Sequence, residues 1–69
     1  MRTRRLADHV RHWRTLLACA DAGHVPADDL RASLDDLDRA ILVWDEKAIW
    51  RALREVRRHG LELEQTLQG

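Results

Sequence analysis

Apolar residues recur every third or fourth position along almost the whole chain. Leu6, Val10, Trp13, Leu17 and Ala20 form one series; Leu30, Leu34, Leu37, Ile41, Trp44 and Ala48 form a second. This spacing lines up one face of an α-helix. Alternation of β-branched with polar residues, the mark of a half-buried strand, is nearly absent. The fold class expected is therefore all-α.

Before residue 60 only one segment carries helix-breaking residues, Ala22-Gly23-His24-Val25-Pro26. Gly23 suits the left-handed position that ends a helix, and Pro26 the first position of the next. Asp28 and Asp29 then set negative charge at the new N-terminus, where the helix dipole favours it. The pattern predicts a helix over about 3–22, a loop over 23–26 and a second, antiparallel helix from about 27.

From Ile49 the stripe shifts by one residue, to Ile49, Leu53, Val56, Gly60, Leu63 and Leu67. Such a shift is compatible with the drift of a straight helix against a heptad. With no Gly or Pro between 27 and 59, the favoured expectation is one long helix over about 27–59. Arg57, Arg58, Gly60 and Leu61 then read as its end, followed by a C-terminal tail over 60–69 in which Leu61 to Gln68 either add a further helical turn or two or fray. This makes a single-domain helical hairpin, with the end of its second helix protruding. The alternative is a three-helix bundle with a break near Asp45, which could cap a third helix.

At 69 residues the chain allows one domain, too small for most folds that bury an enzyme cleft. One core of this size rarely supplies more than ~3–5 kcal/mol without a staple. Cys19 is the sole cysteine, so no internal disulfide forms and a cytoplasmic location is expected. No signal peptide or membrane-spanning run is visible. Eleven Arg to one Lys, with no Asn, matches the compositional bias of GC-rich bacterial genomes. Oligomerisation is the remaining common source of stability, and a homodimer is expected.

Residues 40–53 carry the functional reading. Ala40 to Trp44 are apolar all round a helix, and Ile49 and Trp50 continue this. One partner helix cannot cover every side. Val43, Ile49, Trp50 and Leu53 are the candidate partner or dimer interface. Lys47, Arg51, Arg54 and Arg58 form a basic stripe suited to an acidic partner or to phosphate. Arg2, Arg4 and Arg5 stand where cations are unfavourable at a helix N-terminus, either in a frayed tail or serving an acidic partner. Arg31, Asp35 and Arg39 read as paired charges of a solvated face. His9 and His12 share a helix face, but no four-ligand metal set, nucleophilic triad or phosphate loop accompanies them. No cofactor, metal or catalytic residue is expected. The function expected is a non-enzymatic protein–protein interaction module: a small adaptor, chaperone or regulator. The alternative is a nucleic-acid-binding regulator using the Arg stripe, although the formal net charge is zero.

Leu30-Arg31, Leu34-Asp35, Leu37-Asp38 and Ile41-Leu42 resemble the first-helix pattern of the all-helical chorismate mutase family over about thirteen residues. Too little chain follows for that family's remaining helices, so the resemblance implies helix and not activity. In outline alone, the hairpin is similar to RNA-binding hairpins of the Rop type, which dimerise into four-helix bundles.

Overall fold

The computed structural model describes the backbone from residue 3 to residue 69 and side chains from residue 5. The described residues form three helices, α1 (Thr3–Ala22), α2 (Asp28–Val43) and α3 (Glu46–Gln68), and no strand. The long second helix is thus replaced by two. A continuous helix over 27–59 would extend about 50 Å at 1.5 Å per residue, whereas the longest dimension of the molecule is 34 Å.

The reversal between α2 and α3 is made without Gly or Pro. Trp44 takes the left-handed conformation, with φ 52°. Its N–H donates to the Ile41 carbonyl at 3.0 Å, and the Asp45 N–H donates to the Ala40 carbonyl at 3.1 Å. This is a Schellman ending, in which two carbonyls left open by the helix terminus are satisfied. Asp45 then caps α3: its Oδ1 accepts from the Ala48 N–H at 3.3 Å. Asp45→Ala removes that acceptor, and a loss of about 1 kcal/mol is expected in urea denaturation. Asp45→Asn should keep most of the stability.

The first connection also differs in detail from its expected form. Gly23 does not adopt positive φ; His24 does, at 58°. The Gly23 N–H still continues the helical pattern, donating to the Cys19 carbonyl at 3.1 Å, and the Val25 N–H closes the turn on the Ala20 carbonyl at 2.9 Å. Pro26 lies ahead of the helix, whose N-cap is Ala27. Asp28 and Asp29 occupy the first turn, as the dipole argument requires.

The three helices share one core. Leu6, Trp13 and Ala20 enter it from α1, Leu30, Leu34 and Leu37 from α2, and Ile49, Val56 and Leu63 from α3. Gly60 does not end a helix. It is buried within α3, and a β-carbon added there would overlap Cε3 and Cζ3 of the Trp13 ring. Helix and stripe continue past it, with Leu63 buried, so the expected tail over 60–69 is helical to Gln68. Cross-helix ion pairs are consistent with α1 and α2 running antiparallel: Arg14 pairs with Asp38, and Arg31 with Asp21 at 2.6 Å. Arg31 and Arg39 do not pair with Asp35; Arg39 lies 3.9 Å from Asp36. All these pairs are exposed and contribute little stability.

Candidate functional site

Core packing decides which of the candidate residues can meet a partner. The interface set divides. Ile49 is 3% exposed and belongs to the core, so it is no anchor for a partner. Leu53 is half-buried against the core. Val43 and Trp50 are exposed, at 73% and 47%. They do not form one patch with Ile49: Val43 ends α2, while Trp50 lies in the second turn of α3, beyond the reversal.

The basic residues Lys47, Arg51, Arg54 and Arg58 are all exposed on α3. Their spacing puts them on the side away from Ile49, Val56 and Leu63. Arg58 is committed to Glu55, donating to its Oε2 from Nε at 2.9 Å. Lys47, Arg51 and Arg54 have no ion-pair partner among the described residues. Of the N-terminal basic group, Arg2 and the Arg4 side chain lie outside the described residues, while Arg5 is exposed on α1.

Two surface features stand out. The first is an apolar corner. Leu42, 86% exposed, follows Ile41 in the last turn of α2, and Val43 and the half-exposed Trp44 complete the run. Beside it, Ile41 and Trp44 form one wall of a notch whose other wall is Leu6, Ala7 and Val10 of α1. Arg11 and Arg14 also border the notch.

The second is a groove of about 780 Å³ between α1 and α3. His9, His12 and Trp13 line it from α1; Trp50, Leu53, Arg54 and Arg57 line it from α3. The His12 ring stands edge-on to Trp13, with ring centroids 4.4 Å apart. The signal for this groove was present in the sequence as two short series, His9/His12 and Trp50/Leu53/Arg57, but pairing them requires knowing that α3 returns alongside α1.

A third hollow, where α2 begins, is lined by Asp28, Asp29, His59 and Glu62 among others. Among the described residues, no three His, Cys, Asp or Glu side chains stand close enough together to hold a metal ion. No described helix is long and apolar enough to cross a membrane. Comparison with protein-family models, with curated proteins and with solved structures finds no match to this chain.

Proposed function

We propose that this chain is a small, non-enzymatic protein–protein interaction module of the bacterial cytoplasm, an adaptor or regulator, and that a second copy docks on the apolar corner between α2 and α3. The observation that carries this reading is the exposure of Leu42, Val43 and Trp44 in one consecutive run. Three large apolar side chains at one corner form the kind of patch that marks an interaction site.

A second copy is the occupant that suits the shape. Projecting Leu42 is adjacent in sequence to Ile41, a wall of the apolar notch. A two-fold pairing uses the same patch on both subunits, so each copy can supply the projection and offer the recess. The ten buried apolar residues among those described also make a small core, which dimerisation would supplement. Trp44 adds a further indication. A bulky residue in the left-handed region is unusual, and such conformations cluster at functional positions.

Light scattering on eluting protein tests the reading. The wild type is expected near twice 8.1 kDa. Leu42→Asp combined with Val43→Asp should give the monomer mass while far-ultraviolet circular dichroism stays helical. A wild type that remains monomeric at the highest soluble concentration overturns self-association through this corner.

A further inference from the structure

The groove between α1 and α3 carries a separate inference, independent of self-association at the corner. Three observations define it. Its lining residues include two arginines and two histidines but no carboxylate. Arg54 and Arg57 have no ion-pair partner among the described residues, in contrast to Arg14, Arg31, Arg39 and Arg58. Trp50, about half exposed, presents an aromatic surface on the same wall as those arginines.

We infer that this groove binds a nucleotide, with its phosphate held by Arg54 and Arg57 and its base stacked on Trp50. Guanidinium groups match phosphate oxygens in geometry as well as charge. An indole face stacks on any base, since every base has a π-face. His9 and His12 bring ring nitrogens to the opposite wall, where they can hydrogen-bond sugar or base. The edge-on contact with Trp13 orients His12 before any ligand arrives.

The size of the groove suits a small anionic ligand. The volume, about 780 Å³, falls within the roughly 300–1,000 Å³ of small-ligand sites. Residues 50–57 span only about 10 Å of helix axis. A single phosphorylated ring fits. The nucleotide can be free or one unit of a single strand, because both present the same phosphate and base.

Nuclear magnetic resonance titration separates these cases. Adenosine monophosphate should shift the Trp50 indole N–H and the Arg54 and Arg57 Nε–H signals, while adenosine and ribose 5-phosphate each bind at least tenfold more weakly. Trp50→Leu should weaken binding of the monophosphate by about 5- to 150-fold, the range expected for lost base stacking. Arg54→Gln with Arg57→Gln, both at exposed positions, should abolish it without loss of helicity. A short oligo(dA) that binds more tightly than the monophosphate, at the same residues and with a steeper salt dependence, assigns the site to a single strand. Equal or weaker oligonucleotide binding assigns it to the free nucleotide. Inorganic phosphate that binds as well as the monophosphate overturns the stacking role of Trp50 and with it the proposal. So does an absence of shifts at millimolar nucleotide and oligonucleotide, or shifts confined to Lys47, Arg51 and Arg58.

Discussion

Gly60→Ala should lower stability by about 1–3 kcal/mol, although alanine is the better helix former by about 1 kcal/mol. The two effects oppose, and packing decides. A β-carbon at position 60 would overlap two ring carbons of Trp13. Trp13 is 6% exposed, so its ring cannot swing away without leaving the core. Trp13→Ala removes the obstacle but also the largest side chain of the core, at an expected loss of about 3–5 kcal/mol. That matches the whole stability typical of a domain this size, and the variant should be largely unfolded at room temperature. Trp13→Leu in the Gly60→Ala background is the informative combination. The leucine leaves room for the added methyl, so the double variant should be more stable than the sum of the single losses. Urea denaturation followed by circular dichroism of the wild type, Gly60→Ala, Trp13→Leu and the double variant closes the cycle. If Gly60→Ala is neutral or stabilising, Trp13 does not pack on α3 at this point, and a helix ending near residue 60 becomes the better account.

The Gly60 result turns on a distinction that the amino-acid order alone leaves open. A glycine after Arg57, Arg58 and His59 satisfies every local criterion for a helix end. What keeps the helix going is tertiary: Trp13 arrives from 47 positions earlier and occupies the space a side chain would fill. The reversal at Trp44 is the converse case. No local breaker announces it, and the residue that adopts positive φ is a tryptophan. Its trace in the sequence is the one-residue shift of the apolar stripe between Ala48 and Ile49, together with an aspartate able to cap. Where periodicity was strong and punctuation agreed with it, the reading was sound. The helical class and the core positions Leu6, Trp13, Leu30, Leu34 and Leu37 follow from the 3,4 spacing.

The candidate site was legible only residue by residue. On one continuous helix, positions seven apart share a face, so Leu42 would lie with Ile49 and Val43 with Trp50. The reversal breaks both relations. Leu42 is 86% exposed and Ile49 3%. Val43 and Trp50 stay exposed but belong to different surfaces, the apolar corner and the α1–α3 groove. The groove itself joins residues about 40 positions apart, and no spacing rule on one helix reaches across that distance.

Ile49→Ala therefore separates the two architectures by experiment. Packed in the core next to the cap of α3, Ile49 should cost about 2–5 kcal/mol on truncation to alanine, and about 0.5–1.5 kcal/mol on truncation to valine. For a domain of this length each kcal/mol lowers the thermal midpoint by about 4–8 °C, so alanine shifts it by at least ~8 °C. The graded response matters more than either value, because it follows the methyl groups removed from a packed interior. Oligomeric state should respond differently: while Ile49→Val remains folded, it should keep the wild-type mass, since a side chain only 3% exposed offers a partner almost no surface. A long helix with Ile49 on a partner-facing side predicts the reverse pattern. Both substitutions would then weaken association in proportion to their size, and the midpoint of the dissociated chain would hardly move. Thermal melts and light scattering on the same samples read both quantities, and the sign of the contrast tells whether α3 turns back at Trp44.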